Sequence, residues 1–201
     1  MATHKRLLNL QDNPEIALGG AIVEVGSQRS PGKGSSFQLK ALADHFSQEF
    51  FTVDLSRQSF EAASSAVGAC AVHEDGISFL EGFDRKISIL YLDNYDIVYS
   101  ATHAADIKER MSSVAEELNY SFDDQYLQNT NSIFAHLHQA QAALPKMTSS
   151  CLIGLDDTLS RNNSWWGKGA LAAPFLLHNG FEMKYVEDKG LVVARNFPFE
   201  F

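Results

Sequence analysis

Short apolar runs alternate with amphipathic stretches along this chain, and this alternation limits the fold more than any other feature. The runs are AIVEV (21–25), FFTVDL (50–55), ACAVHE (69–74), ISILYLD (87–93) and SCLIGLD (150–156). Continuous apolar runs of this length are typical of strands that are buried on both faces of a parallel sheet. The sequence therefore predicts an α/β fold, a doubly wound, Rossmann-like and mostly parallel sheet with helices on both faces.

The amphipathic stretches supply the predicted helices. One helix is expected over residues 35–46, with Ser35 or Ser36 as its N-cap, and a second over 57–68, ended by a glycine. A third is expected over 169–180, bent at its internal proline and ended by Asn-Gly. These helices follow strands closely, which favours strand–helix–strand crossovers.

Two further segments distinguish the chain from a plain dinucleotide-binding fold. Residues 106–145 predict a helical insert of two helices, broken near 119–123 and stopped by Pro145. Residues 181–188 and 190–197 predict an antiparallel hairpin that completes the sheet at its C-terminal end.

Composition limits the class of protein and its partners. With 201 residues the chain fits a single domain, 1–201, and its formal net charge of −9 comes without a Lys/Arg stripe. Nucleic acid and anionic membrane surfaces are therefore disfavoured as partners. No apolar run approaches the roughly 20 residues of a membrane span, and no signal peptide is apparent. The expectation is a cytoplasmic protein with two unpaired thiols, Cys70 and Cys151.

Acidic and glycine residues follow the first three strands, where ligands bind in open α/β sheets. Glu24-Val25-Gly26-Ser27 leads into a glycine-rich loop that reaches Gly34-Ser35, while Asp54 and Asp75 follow the next two strands. Together they predict a nucleoside site, with Asp54 on the ribose. Taken one at a time, each feature also has a purely structural interpretation. The glycines would belong to an ordinary loop between strand and helix, Asp54 would cap a helix and Asp75 would form a turn.

Three more carboxylates follow the fourth and fifth strands, which are expected to be neighbours. They belong to Asp93, Asp156 and Asp157. Carboxylates brought together repel one another unless protons or a cation compensate their charge. A hard divalent ion with oxygen ligands, Mg²⁺ or Ca²⁺, is therefore one hypothesis. Solvated or loop-capping aspartates are the other.

These motifs resemble those of class I S-adenosylmethionine-dependent methyltransferases over roughly residues 20–195. EVGS…GKGSS is similar to their glycine-rich first motif, VDLS to the second, HEDGISFL to the third and LYLDN to the fourth-strand motif. The resemblance implies S-adenosylmethionine as cofactor. It implies cofactor contacts from Glu24, Gly26, Ser27, Gly34, Ser35, Asp54, Leu55, Asp75, Gly76 and Asp93.

The pairing of LYLDN with LIGLDDT is similar to metal-dependent O-methyltransferases of the catechol type and to cephalosporin-hydroxylase-like relatives. This resemblance implies a metal bound by Asp93, Asp156 and Asp157, although Asp157 stands where the catechol type has asparagine. It implies methyl transfer to a small hydroxylated acceptor, with Asp93 and Lys168 as catalytic candidates. Lys168 would act as a base or an anion partner, or is a solvated lysine at a helix start.

Other functions and residues stay open at this point. The alternatives are a non-catalytic member of the same fold that binds a nucleoside or a protein, and an NAD-dependent oxidoreductase, which the poor dinucleotide motif disfavours. Trp165 and Trp166 could line an acceptor pocket or pack in a loop; His136 and His138 are interpreted as structural or solvent-facing. A general-base role for His103 is a weaker hypothesis. The C-terminal Phe-Pro-Phe segment (197–199) is a packed terminus or a homodimer contact.

Overall fold

The computed structural model describes residues 3–13, 15–97, 105, 129–187 and 189–198. Nine strands lie in these ranges, seven in one sheet and two in a separate hairpin. The strands are β1 (Ala21–Val25), β2 (Phe50–Asp54), β3 (Ala71–His73), β4 (Ile87–Leu92), β5 (Met147–Asp156), β6 (Thr158–Arg161), β7 (Ser164–Gly167), β8 (Glu182–Glu187) and β9 (Gly190–Arg195).

The large sheet has the strand order β3-β2-β1-β4-β5-β9-β8. Its first five strands are parallel, and β9 then pairs antiparallel with both β5 and β8. The predicted mostly parallel sheet and its C-terminal antiparallel hairpin are therefore confirmed. The two-stranded hairpin of β6 and β7 was not predicted, because Asn162-Asn163 both adopt positive φ and turn the chain without glycine.

Six α-helices within the described ranges cover the two faces of the sheet. They are α1 (Thr3–Leu7), α2 (Ser35–His45), α3 (Arg57–Val67), α4 (Gly76–Gly82), α5 (Asn129–Ala143) and α6 (Ala172–His178). One core cluster joins alternate strand residues to α4, α5 and α6, and the other joins the intervening residues to helices α1 to α3. Both faces are buried, as continuous apolar strands require.

The register of the parallel strands brings their carboxyl ends to one edge. Val25 pairs with Val53 on one side and with Leu92 on the other, and Leu92 pairs with Leu155. The next residue along each strand is Gly26, Asp54, Asp93 or Asp156. The prediction that these positions converge at one sheet edge is confirmed.

Several predicted boundaries are corrected by the structure. The N-cap of α2 is Gly34, without a side-chain cap, because the Ser36 hydroxyl instead accepts a hydrogen bond from Gln28 N. The third strand is shorter than predicted, since a 3₁₀ turn occupies Gly68–Cys70. Pro174 does not bend a helix: α6 begins at Ala172, so the proline lies in the first turn, where its missing N–H is tolerated.

Two helices, α1 and α4, have no counterpart among the sequence predictions, because each is short and leaves little periodic pattern. The helix α5 ends two residues before Pro145, as the predicted stop requires, and a 3₁₀ turn follows it. The predicted break near residues 119–123 and the general-base candidate His103 lie outside the described residues. Cys70 and Cys151 are both unpaired thiols. No described helix has the length and apolar character needed to cross a membrane.

Candidate functional site

A cavity of about 410 Å³ opens at the carboxyl ends of β1, β2 and β4. Strand ends, the loops that follow four strands and the first turns of two helices line it: Val25, Gly26, Ser27, Arg29, Ser30, Val53, Asp54, Leu55, Ser56, Gln58, Ser59, Asp75, Gly76, Asp93, Asn94, Tyr95 and Asp96. Seven of the ten predicted cofactor residues are among them. Glu24, Gly34 and Ser35 are not. The cavity is large enough for a small-molecule ligand or cofactor.

The floor of the cavity depends on a close approach between the loops after β1 and β4. Gly26 has a φ of +96°, and a Cβ at this position would overlap the backbone of Asp93 and Asn94. The Asp93 N–H donates to Val25 O at 2.8 Å, which locks the two loops together. Glycine is therefore needed at residue 26 both for its conformation and for its lack of a side chain.

The Gln28 side chain holds the rest of the glycine-rich loop. Gln28 Nε2 donates to the carbonyls of Ser30 and Gly32, each at 3.0 Å, and Gln28 Oε1 accepts from Phe37 N. A Cβ on Gly34 would contact the Gln28 side chain at 2.6 Å. Gln28 thus takes up the space beside Gly34, and neither Gly34 nor Ser35 lines the cavity, so their cofactor contacts stay a prediction.

Asp54 ties β2 to the loop after β1. Its Oδ2 accepts from Ser27 N at 2.8 Å and its Oδ1 from Ser56 N at 2.7 Å. Burial raises the pKa of the Asp54 carboxyl, and the two backbone N–H groups partly oppose that shift. Each oxygen keeps a second lone pair, so the side chain can still accept from the hydroxyls of a bound ribose.

Asp75 caps a helix, where the sequence analysis had offered a turn or a nucleoside contact. Its Oδ1 accepts from Ile77 N at 3.1 Å and from Ser78 N at 2.9 Å, which caps α4, and the residue also lines the cavity. The following Gly76 is buried against β1, where a Cβ would overlap the Val25 side chain. The helix therefore places Asp75 at the cavity wall.

The cavity also contains two features that the sequence analysis missed. Arg29 from the β1 loop forms an ion pair of 2.9 Å with Asp96 from the β4 loop, and both line the cavity. Asn94 Oδ1 is buried at the cavity without a partner among the described residues. The neighbouring positions of β1 and β4 could have suggested the ion pair, whereas the orientation of Asn94 depends on the three-dimensional structure.

The predicted catalytic pair Asp93 and Lys168 is brought together beside the cavity. Lys168 Nζ lies 2.8 Å from Asp93 Oδ1 and 3.3 Å from Asp157 Oδ2, and its side chain is 1% exposed. Burial alone would lower the pKa of Lys168, but the adjacent carboxylates raise it well above its usual value. The ion pairs therefore favour the ammonium form of Lys168, and the solvated-lysine interpretation is wrong, because the side chain is buried.

The pKa values of two carboxyl groups in this cluster shift in opposite directions. Burial would raise the pKa of Asp93, but the Lys168 ammonium outweighs it and holds that pKa below the usual value. Burial and the neighbouring Asp93 charge raise the pKa of Asp156 to about 7. Asp156 Oδ1 accepts from Thr3 Oγ1 at 2.8 Å, and Tyr91 donates its hydroxyl to Asp93 Oδ2 at 3.2 Å.

The predicted metal ligands form a compact group. One oxygen each from Asp93, Asp156 and Asp157 lies within 4.8 Å of the others, a donor set of the kind that hard divalent ions bind. The Lys168 ammonium, however, already contacts two of the three residues. With Lys168 in this position the cluster does not fit an additional divalent ion, so no chemical step is assigned to a metal.

The remaining candidate residues lie outside the cavity lining. Trp165 packs against the apolar core, whereas Trp166 on the same strand is 58% exposed. His136 is fully buried, with Nδ1 2.9 Å from Ser132 O, and burial lowers its pKa to about 4. His138 is exposed. Of the two interpretations offered by the sequence, His136 therefore fits a structural residue and His138 fits a solvent-facing one.

Comparisons by sequence find no relative: no protein-family model and no curated protein matches the chain. Solved structures do match. The O-methyltransferase NovP is 12% identical with a TM-score of 0.57, over 95% of this chain and 79% of that chain. The N-methyltransferase NodS from Bradyrhizobium japonicum WM9, in complex with S-adenosyl-L-homocysteine, is 11% identical with a TM-score of 0.52, over 98% and 86%.

TrmN from Thermus thermophilus matches at 12% identity and a TM-score of 0.50, over 95% of this chain. The chain spans about half of TrmN, 47% of its length. At such low identity, matches of this kind establish the fold. Sheet order, terminal hairpin and structural neighbours together show that the chain has the fold of the class I S-adenosylmethionine-dependent methyltransferases.

Proposed function

We propose that the protein is an S-adenosylmethionine-dependent methyltransferase that methylates a hydroxyl group of a small acceptor. The observation that carries this proposal is the cavity at the sheet edge, where Gly26, Asp54, Asp75 and Asp93 meet. Two hydrogen-bonding carboxyl groups at consecutive strand ends suit a nucleoside, with Asp54 on the ribose hydroxyls and Asp75 near the adenine amino group.

The reaction would be an in-line displacement. The bond between the methyl carbon and the sulfonium sulfur breaks, a bond forms to the acceptor oxygen, and S-adenosylhomocysteine and the hydroxyl proton are released. The protein's part is to hold the two reactants in line. Asp93 lines the cavity and also contacts Lys168. It therefore links the proposed cofactor cavity to the group of charged side chains formed by Lys168 and the neighbouring aspartates. Lys168 does not line the cavity, so its part in the proposal is to hold Asp93 in place through their ion pair.

Charge supports a small molecule as the acceptor. The chain carries a net charge of −9, and four aspartates but a single arginine line the cavity. A nucleic-acid acceptor would require a basic surface to neutralise its phosphates. Divalent metal assistance is left out of the proposal, since the ammonium of Lys168 takes up the relevant carboxylates.

One observation favours the second candidate, a non-catalytic member of the same fold. Gln28 fills the glycine-rich loop with its own hydrogen bonds. The Arg29–Asp96 ion pair also joins two sides of the cavity, so a ligand must enter beside it or displace it. A protein of this kind would bind a nucleoside or S-adenosylmethionine without turnover.

Isothermal titration with S-adenosylmethionine and S-adenosylhomocysteine tests the proposal. We expect micromolar binding to the wild-type protein. We expect a loss of at least about tenfold in Asp54→Ala, because hydrogen bonds to a charged group are worth about 1.5–3 kcal/mol each. Asp44→Ala is the matched control, since Asp44 is exposed on α2 and pairs with Lys40. Equal affinity of Asp54→Ala and Asp44→Ala would remove Asp54 from the site.

Absence of binding by folded wild-type protein would overturn the methyltransferase proposal. Binding without methyl transfer to any member of a panel of phenols, alcohols and hydroxy acids would favour the non-catalytic candidate.

A further inference from the structure

A buried ammonium lies where the three carboxylates of the β4 and β5 ends converge. Lys168 Nζ is within 3.3 Å of oxygens from both Asp93 and Asp157, at 2.8 Å and 3.3 Å. The lysine side chain is 1% exposed, whereas the two aspartates are 28% and 21% exposed. The cation is therefore the most enclosed charged group of the cluster, as a bound ion would be.

The backbone around Lys168 places its side chain against the carboxylates. The β6–β7 hairpin returns the chain to Asp157, whose carbonyl accepts from Lys168 N at 3.1 Å. Gly167 precedes the lysine with a φ of +87°, and a Cβ there would overlap the Asp157 carbonyl. Gly169 follows it, and its N–H donates to Thr158 Oγ1 at 2.9 Å. The close approach depends on a glycine on each side of Lys168.

Electrostatics explains why the arrangement needs a cation of some kind. Like charges held this close destabilise the fold unless an opposite charge or a proton compensates them. A lysine ammonium is a compact point charge with three donors, so it can satisfy several carboxylate oxygens at once. A divalent ion would use oxygens of the same aspartates. The two cations are therefore competitors for one position.

We propose that Lys168 is the resident cation of this site, and that its ammonium occupies the position that a divalent metal ion would otherwise take. Wild-type protein then has no selective site for Mg²⁺, Ca²⁺ or Mn²⁺ at Asp93, Asp156 and Asp157. Removal of the ammonium converts the same three carboxylates into a divalent-cation site. This inference goes beyond the proposed methyl transfer and does not require it.

The proposal also gives Lys168 a positioning role. By holding Asp93 Oδ1, it fixes the orientation of the one cluster residue that lines the cavity. The charge is part of the chain, so the site needs no metal-loading step.

Manganese binding followed by electron paramagnetic resonance tests the inference without any cofactor or acceptor. We expect no saturable Mn²⁺ binding to wild-type protein or to Lys40→Ala, a control in which a partly exposed lysine that pairs with Asp44 is removed from α2. Lys168→Ala should bind one Mn²⁺ at least tenfold more tightly than wild type. Adding Asp156→Asn to Lys168→Ala should abolish that gain. A wild-type protein that binds one Mn²⁺ as tightly as Lys168→Ala would overturn the inference.

A second measurement covers the case in which Lys168→Ala folds poorly. Mg²⁺ should raise the melting temperature of Lys168→Met, at fixed ionic strength, and leave that of the wild type unchanged, because a ligand stabilises only the state that binds it. Adding Asp157→Asn to Lys168→Met removes one charge of each sign and should reduce the response to Mg²⁺. An equal rise in the wild type would contradict the inference. Failure of S-adenosylmethionine to bind would leave both metal measurements unaffected, so the two proposals fail separately.

Discussion

At the scale of the residue, Glu24, for which the resemblance implied a cofactor contact, has a structural role beneath the candidate site. It is fully buried beneath the glycine-rich loop and does not line the cavity. Its Oε2 accepts from Thr52 Oγ1 at 2.6 Å, and Thr52 Oγ1 in turn lies 2.7 Å from Ser27 Oγ. Glu24 therefore supports the cavity floor through hydroxyl groups.

Burial raises the pKa of Glu24 to about 7, while hydrogen bonds from Thr52 and two serines partly oppose the shift. Between about pH 4.5 and about pH 7 the folded protein keeps a proton on Glu24 that the unfolded chain has released. Folding stability from this group is therefore lost as the pH rises through that window.

We predict that Glu24→Gln removes this loss. Relative to wild type, the variant should gain up to about 3 kcal/mol in free energy of unfolding between pH 4.5 and pH 8, because one pKa unit corresponds to about 1.4 kcal/mol. Urea denaturation across this pH range measures the difference. Glu61→Gln, at an exposed position of α3, is the control and should run parallel to wild type. A constant difference between Glu24→Gln and wild type would contradict the assignment.

At the scale of the element, α4 joins the fold to the candidate cofactor site. It is seven residues long, and Asp75 satisfies two of its first N–H groups. A helix this short gains little from intrinsic propensity, so its cap and its packing on β1 through Gly76 decide whether it forms.

We predict that two substitutions separate the cap from the ligand contact. Asp75→Ala removes the cap and should lower the free energy of unfolding by about 0.5–2 kcal/mol. Asp75→Asn keeps a side-chain oxygen that caps α4 and should stay within a few tenths of a kcal/mol of wild type. Both should weaken S-adenosylmethionine binding, as measured by isothermal titration. Glu74→Ala, at the exposed neighbouring position, should change neither property. Unchanged affinity in Asp75→Asn would leave Asp75 with the structural role alone.

At the scale of the whole molecule, one sheet separates two apolar clusters. Neighbouring residues of β4 point to opposite faces: Leu90 belongs to the cluster with helices α4 to α6, and Ile89 to the cluster with helices α1 to α3. Both side chains are fully buried. Because the clusters share the same strands, loss of packing on either face weakens the same sheet.

We predict that Leu90→Ala and Ile89→Ala each lower the free energy of unfolding by about 2–5 kcal/mol. Both should shift one cooperative transition, seen at the same denaturant concentration by circular dichroism and by tryptophan fluorescence. Met183→Ala, half-exposed on β8, is the control and should change stability by about 0.5 kcal/mol or less. Separate transitions for the two probes would show that the faces unfold independently.

The sequence was most informative where a pattern is local and repeated. The five apolar runs predicted the parallel strands because a strand buried on both faces must be apolar throughout. Gly68 was correctly predicted to end α3, since it adopts a φ of +62°. Short elements such as α1 and the β6–β7 hairpin were missed, because α1 leaves little periodic pattern and the hairpin turns at Asn162-Asn163 without glycine.

Among the site residues, sequence position alone could place Asp54, Asp75 and Asp93 at the cavity, because parallel strands end at one edge of the sheet. It could not show that Gly34 and Ser35 lie outside the cavity lining, since the path of this loop depends on where the Gln28 side chain folds. Arg29 and Asp96 are 67 residues apart in the chain, so only the neighbouring positions of β1 and β4 in the predicted sheet could have suggested their ion pair.

The sequence by itself thus determined the fold class and the edge of the sheet where chemistry belongs, because alternating hydrophobicity and strand order are carried by local patterns. Only the tertiary structure decided which group compensates the negative charge of the three carboxylates. Lys168 reaches Asp93 across 75 residues of chain, through a hairpin that the pattern did not reveal. A long-range ion pair of this kind depends on the geometry of the folded backbone, and no spacing in the sequence encodes that geometry directly.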